Sequence, residues 1–505
     1  MNKKALGIIL SYTLIVFDIV VGILFVPFLL RSLGDQEYGL YKLMLSTASY
    51  LSVLDFGIGG TITRYVVKFR TEQKRKDEEN FLAMGFLIYA VLSLLVLLLA
   101  VGLCFAIPRI YAVSIPPEQY RYAQTLFFII CSHTAVSLFN HAYNGLFLAY
   151  EKYSYQKLTN IIKLALRIGM LVLLITITQS AMVIALVDLG LSIVLLAVNA
   201  IYSKKNLKCT IKLHKWDKGL AKEAGVFTLA ILMQSIINQF NSNVDNIVLG
   251  IYVSTAIVSM YSLALQLFTM YSTLSTAVSS IYLPSLSKAV FAGENDEQIT
   301  NRIIKPSRVQ LIILLLALTG FYLLGQHFIG VWVGEGYEEV YLLACVLLTS
   351  STLELSQNTI TAILKAKNKL HGKTLILGIS TLFNVIITFL LVPKIGALGA
   401  VIGTAFSMVF GYGVALNIYY HKVAKVNMFT YYKKTYKGIL PAALLAGAIG
   451  FVVRFIPLSG WVGFAAKALA YVVVYVAVMY FIGLNADEKG MIKNGIKKFT
   501  KTKGI

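Results

Sequence analysis

One feature recurs from end to end of this chain: runs of about 20 mostly apolar residues, the length a helix needs to cross a hydrocarbon layer. Broken at glycines, prolines and charged clusters, they fall near 5–30, 40–64, 81–107, 120–149, 157–178, 181–202, 223–250, 256–283, 308–333, 339–364, 374–393, 397–420, 438–457 and 459–484. Of the 505 residues 58% are hydrophobic and only 13% charged, whereas a soluble surface calls for about a quarter charged. The expected fold class is an all-α polytopic membrane protein with fourteen transmembrane helices. Soluble enzymes, nucleic-acid binders and secreted scaffolds are excluded. The run behind Lys3 and Lys4 outlasts the roughly 7–15 apolar residues of a signal peptide and lacks a small-residue cleavage site, so it reads as a retained first span.

Orientation follows from the basic residues, which membrane proteins concentrate in cytoplasmic loops. With the N-terminus inside, 36 of the 45 Lys and Arg fall on the cytoplasmic side and five (Arg31, Arg109, Arg121, Lys394, Arg454) on the outer side. Lys42, Lys163, Arg167 and Lys467 fall within spans. Both termini are therefore expected in the cytoplasm, and the net charge of +22 reflects topology and contact with anionic membrane lipids, with no nucleic-acid partner. The longest outer loop, Pro108 to Gln119, is too short to fold as a domain. Function must reside in the membrane bundle.

The long basic loop after span six divides the chain. The expected organisation is an N-lobe over 1–203 (spans one to six), a basic cytoplasmic linker over 204–222, and a C-lobe over 223–421 (spans seven to twelve). Spans thirteen and fourteen follow over 422–484, then a basic tail over 485–505. A faint internal echo supports two halves: Arg31-Ser32-Leu33-Gly34 with Tyr38 and Tyr41 after span one, and Val248-Leu249-Gly250 with Tyr252 and Tyr261 after span seven. Two six-span halves holding a substrate between them are a common transporter plan.

Ionisable and amide side chains in hydrocarbon cost several kcal/mol, roughly, and mark functional or paired positions. Span seven carries Gln234, Asn238, Asn241 and Asp245, which helical spacing stacks on one face. That stripe is either an interhelical hydrogen-bond ladder or a cavity wall. Span ten repeats the pattern in Ser350, Glu354, Gln357, Thr361 and Lys365, and span four in His133, Ser137, Asn140, His141 and Asn144. The two histidines lie two turns apart without a third ligand, so they fit packing or proton relay rather than a metal. The four cysteines form no disulfide framework, and no cofactor is expected. Asp18, Asp55, Asp245 and Glu354 are candidates for coupling to a proton or sodium; the alternative for the carboxylates, Asp188 included, is pairing with intramembrane cations such as Lys163 and Arg167. Asn160, Lys163 and Arg167 share a face of span five. With Arg64 and Arg308 they offer phosphate-binding chemistry, two-pronged for arginine and point-like for lysine. Snorkelling to lipid headgroups is the alternative for Arg64 and Arg308. Gly57, Gly59 and Gly60 mark close packing or a hinge in span two.

The segment Phe25-Val26-Pro27-Phe28-Leu29-Leu30-Arg31-Ser32-Leu33-Gly34, then Glu37-Tyr38-Gly39-Leu40-Tyr41, then Leu54-Asp55-Phe56-Gly57-Ile58-Gly59 and Thr63-Arg64-Tyr65, resembles the polysaccharide transporters. These include the O-antigen-type flippases of the multidrug/oligosaccharidyl-lipid/polysaccharide exporter superfamily. The resemblance implies a two-lobed, V-shaped bundle with a central cavity lined by spans one, two, seven and eight. It also implies export of a lipid-linked oligosaccharide, usually on undecaprenyl diphosphate, across a bacterial plasma membrane, beside a polysaccharide polymerase and glycosyltransferases. Such cavities are typically cationic, whereas spans one and seven here carry Asp18, Asn238, Asn241 and Asp245. This favours either Lys163 and Arg167, with Asn160 on the same face, or Arg64 for the diphosphate, and leaves room for a largely neutral glycan held by amides such as Asn238 and Asn241 and by tyrosines. The lipid II flippase branch fits less well, because no arginine lies between Lys4 and Arg31. A cation-coupled drug antiporter of the same superfamily is the first alternative, and a membrane-embedded polymerase or ligase the second.

Overall fold

The computed structural model describes residues 20–216 and 218–490, less the side chains of 218 and 220–231. The described residues form helices and no strand. In chain order the helices are α1 Val20–Leu33, α2 Asp35–Ser49, α3 Ile58–Thr71, α4 Arg75–Ile110, α5 Tyr120–Ala149, α6 Tyr153–Thr178, α7 Met182–Asn206 and α8 Lys218–Tyr252. They continue with α9 Thr255–Phe291, α10 Asp296–Trp332, α11 Glu338–Ser356, α12 Ile360–Ala366, α13 Leu370–Ile395, α14 Ala397–Phe406 and α15 Leu416–Lys422, then α16 Met428–Tyr436, α17 Ile439–Gly450 and α18 Gly460–Val478. A π-helical stretch, Ser407–Ala415, joins α14 to α15.

Among the described residues, eleven helical stretches are long and apolar enough to cross a membrane. They fall at predicted spans three to six and eight to fourteen, except that span ten is interrupted at 357–359 between α11 and α12, so the face drawn from Ser350 to Lys365 is not one continuous helix; span seven is the continuous helix α8. Their outer faces are the apolar surface a bilayer requires: on α6, Leu158, Ile162, Leu166, Leu173 and Ile177 are all exposed. The chain is a multi-pass membrane protein.

Span two departs from expectation. The sequence predicts one helix over 40–64, but α2 tightens into a 3₁₀ turn at Tyr50–Asp55 and stops. Phe56 (φ 51) and Gly57 (φ 70) then take left-handed conformations before α3 begins. Glycine suits that conformation because it has no Cβ to clash. The Asp55-Phe56-Gly57 triplet is thus a helix break.

By their contacts the residues divide into two units, 1–262 with 385–400, and 263–384 with 401–505. In the first, α5 is the central post, packed on α3, α4 and α7. Two glycines let α3 and α5 touch: a Cβ on Gly145 would lie 2.2 Å from the carbonyl oxygen of Gly59. Thr63 Oγ1 then donates to the Gly145 carbonyl at 2.9 Å. Beyond α7, the loop is pinned to α4, since Asn80 Oδ1 accepts the backbone N–H groups of His214 (2.9 Å) and Lys215 (3.0 Å).

In the second unit α10 is central, packed on α11, α16, α17 and α18. Its Arg308 is neither a phosphate ligand nor a snorkelling cation. The side chain is 5% exposed and forms a two-pronged ion pair with Glu488 (2.6 and 2.9 Å). Its remaining donors reach the carbonyls of Lys434, Lys437 and Gly483 at 2.9 to 3.0 Å. The sequence reading had no means of bringing residue 488 to residue 308. One guanidinium thus ties α10 to both ends of the C-terminal helix pair.

Arg308→Ala should lower the stability of the purified protein by about 3–5 kcal/mol, the usual penalty for orphaning one member of a buried pair, read as a fall in thermal midpoint in detergent. Burial opposes ionisation of Glu488, but hydrogen bonds from Arg308 and the Asn485 N–H outweigh it and hold the carboxyl below its ordinary value of 4.5. A carboxyl lowered in this way stabilises above its unfolded pKa, and the contribution is lost as pH falls through the folded value. Acidification from neutral pH should therefore leave this contribution intact down to the ordinary carboxylate value and remove it below. Glu488→Gln should lack that acid step.

Candidate substrate and ion site

The cations singled out in span five meet partners from three other helices. Arg167 on α6 grips Asp188 on α7 with two donors, Nε to Oδ1 at 2.5 Å and Nη2 to Oδ2 at 2.9 Å. Lys163, one turn away, donates to Ser192 Oγ at 3.1 Å. Tyr41 on α2 adds a hydrogen bond to Arg167, and Lys42 beside it lies within electrostatic reach of that guanidinium. His133 on α5 senses Asp188, Lys163 and Arg167. The Lys42 ammonium lies 5.3 Å from the centre of the Tyr38 ring, a cation–π contact. Three cations therefore gather inside the first unit, Arg167 and Lys163 within reach of Asp188 and Lys42 within reach of Arg167.

Pairing of Asp188 with Arg167 was one of the two expectations for that carboxylate. Lys42 was missed: the sequence marks it only as a lysine inside a span, and its approach to Arg167 depends on how α2 packs. Asn160 lies two turns from Arg167 on α6 and is half-buried. Arg64 is exposed on α3, 5.9 Å from the Tyr65 ring centre.

The coupling-ion candidates scatter. Asp18 lies outside the described residues. Asp55, at the break in span two, accepts a hydrogen bond from Tyr89 at 2.7 Å and faces His141 Nδ1 at 3.3 Å. His141 is thereby separated from His133, which sits 3.4 Å from Ser137. Asp245 is buried at 4% exposure, with hydroxyls of Tyr261 and, at 3.1 Å, Thr388 donating to it. Glu354 is in the second unit, within electrostatic reach of Lys373, whose Nζ donates to Thr361 at 2.8 Å.

Helix α8 carries two polar stripes, of which the sequence reading found one. Gln239, Asn243 and Asn246 form the other. Gln239 donates to Ser52 at 2.7 Å, Asn243 to Gln239 at 2.8 Å and Asn246 to Ser46 at 3.0 Å. This stripe is the interhelical ladder. On the remaining face Gln234 donates to Asn238 at 3.1 Å; Asn238 is exposed and Asn241 half-buried, while Asp245 closes the stripe in the interior.

A polytopic all-helical bundle with charged and amide clusters inside its spans is the build of a membrane transporter. Residues 5–291 match the family described as polysaccharide biosynthesis protein, and the chain belongs to that family. It is 22% identical to the uncharacterised membrane protein EpsK of Bacillus subtilis (strain 168), over 98% of this chain and 97% of that protein. Over 170 residues, 33% of this chain, it is 26% identical to the probable flippase AglR of Haloferax volcanii. That match spans only about a third of the relative's own length (35%). Among solved structures, the lipid II flippase MurJ in an inward closed conformation superposes with a TM-score of 0.72 at 18% identity, covering 94% of this chain and 98% of that one. An inward-facing multidrug resistance transporter of the MATE family follows at a TM-score of 0.60 and 13% identity, covering 81% and 95%. These two likenesses define the fold.

In a variant without native cysteines, Asn238→Cys should react with a membrane-impermeant thiol reagent in opened membranes, and Asn246→Cys should stay protected. Equal labelling of the two would refute the two-faced description of α8.

Proposed function

We propose that this protein is a flippase that carries a lipid-linked oligosaccharide from the cytoplasmic to the outer leaflet of a bacterial plasma membrane. The cargo is a glycan on undecaprenyl diphosphate, delivered for cell-surface polysaccharide assembly by alternating access between lobes 1–203 and 223–421. A glycosyltransferase acts before it and a polymerase after it, and both termini face the cytoplasm. The carrying observation is the cluster of Lys42, Lys163 and Arg167, with Asp188 paired to Arg167, within the membrane part of the chain. A cation held in hydrocarbon is costly unless it meets an anion, and a cluster in excess suits a phosphorylated headgroup. Asn160 and Arg64 are assigned to the same headgroup, and Asn238 and Asn241 to the sugars. Family membership supports the glycan, and the absence of any long outer loop in the sequence argues against a polymerase.

Asp18, Asp55, Asp245 and Glu354 are assigned to coupling with a proton or sodium. The buried Asp245, facing two hydroxyls, also favours the second reading, a cation-coupled drug antiporter.

Two measurements separate these. Deleting the gene should leave complete lipid-linked units on the inner leaflet; normal outer delivery with new sensitivity to cationic drugs would establish the antiporter instead. Lys163→Ala with Arg167→Ala should reduce glycan export at least about tenfold, the scale for losing a charge-assisted pair, while Lys163→Arg should retain it. Wild-type export by the double variant would remove these residues from the site.

A further inference from the structure

The proposed phosphate seat already contains an anion. Asp188 presents both carboxylate oxygens to Nε and Nη2 of Arg167, the same two-pronged face that a phosphate group would take. The groups surrounding this pair are Tyr41 and Lys42 from α2, His133 from α5, Lys163 from α6 and Ser192 from α7. Arg167 and Asp188 remain 27% and 19% exposed, whereas the Arg308 side chain is only 5% exposed. Lys163 is bound to a neutral hydroxyl, and Lys42 lies against a tyrosine ring. Neither of those contacts neutralises an ammonium.

We propose that Asp188 is an internal stand-in for one phosphate and sets the selectivity of the seat for diphosphates over monophosphates. The inference rests on assigning the phosphate to Lys163 and Arg167 and specifies how that seat discriminates. A single phosphodiester that displaces Asp188 from Arg167 exchanges one anion for another, with little net gain. A diphosphate makes the same exchange and brings a second phosphate to Lys163 and Lys42, which among the described residues make no ion pair of their own with a carboxylate. Only the second exchange improves the electrostatics. Among the described residues the charge count agrees: three cations less Asp188 leave two positive charges, matching the two negative charges of a diphosphate diester. Ordinary phospholipids, monoanionic phosphodiesters for the most part, would otherwise compete for the same donors in vast excess. Specificity of this kind needs an element that penalises the wrong ligand.

The test uses the full-length protein in nanodiscs and two probes that share lipid and sugar: undecaprenyl-diphosphate N-acetylglucosamine and undecaprenyl-phosphate N-acetylglucosamine. The wild type should prefer the diphosphate by about tenfold or more. Asp188→Asn should shrink that preference to about threefold or less, chiefly by tighter binding of the monophosphate, and Asp188→Glu should keep it. Exchanging the pair (Arg167→Asp with Asp188→Arg) preserves an ion pair and should keep the thermal midpoint while losing both probes. A merely structural Asp188 would lower the midpoint in Asp188→Asn without changing the preference, and that result overturns the inference. If Asp188→Asn does not fold, full binding of both probes by the exchanged pair also overturns it. Loss of binding in Lys163→Ala with Arg167→Ala, beside an unchanged preference in Asp188→Asn, leaves the seat standing and removes only the role of Asp188. Wild-type binding by that double variant removes the seat, and this inference with it.

Discussion

Hydrocarbon supplies no hydrogen bonds and does not solvate charge, so every polar group within the spans must find a partner inside the protein or meet a ligand. That constraint organises both units. In the first, Asn140 donates to the Ser192 carbonyl and accepts from Asn199, and Tyr155 donates to Asn199 in turn, a seam that joins α5, α6 and α7. In the second, Arg308 is saturated by Glu488 and backbone carbonyls. Groups whose demands are met by the fold hold helices together. The cluster around Arg167 differs: among the described residues it brings together Lys42, Lys163 and Arg167 with the single carboxylate of Asp188.

The same distinction resolves the two sides of α8. Gln239, Asn243 and Asn246 repeat at four and three residues and so project from one side of the helix. They end on serines of α2 and the adjoining 3₁₀ turn. The rungs of this ladder are short and neutral, and serve to fix the rotation of α8 about its own axis. With that rotation fixed, Asn238 and Asn241 have a defined direction that does not depend on their own bonding.

Much of this was legible in the amino-acid sequence because hydropathy and helical periodicity are local. The positions of most spans and the polar character of α8 follow from spacing along one helix, and the pairing of Asp188 with a span-five cation was one of two readings that spacing allowed. What was not legible depends on packing between helices distant in sequence. Arg308 looked like a free cation because Glu488 lies 180 positions away. Lys42 looked isolated because its approach to Arg167 is set by how α2 meets α6. The second stripe of α8 escaped notice because serines 46 and 52 carry no signal of their own. The break in span two was hidden for another reason: apolar content continues through it, and only the backbone reveals that Phe56 and Gly57 leave the helix.

That break changes the electrostatics of the interior. A continuous helix keeps its terminal peptide dipoles at the membrane surfaces, where water screens them. Span two instead ends one helical segment at Asp55 and starts another at Ile58, bringing a pair of helix termini into the span. The restarting end carries the equivalent of about half a positive charge on its free N–H groups. The Asp55 carboxylate, hydrogen-bonded to Tyr89 and beside His141, therefore sits at a junction where the carbonyl end of one segment and the N–H end of the next present opposite partial charges inside the span.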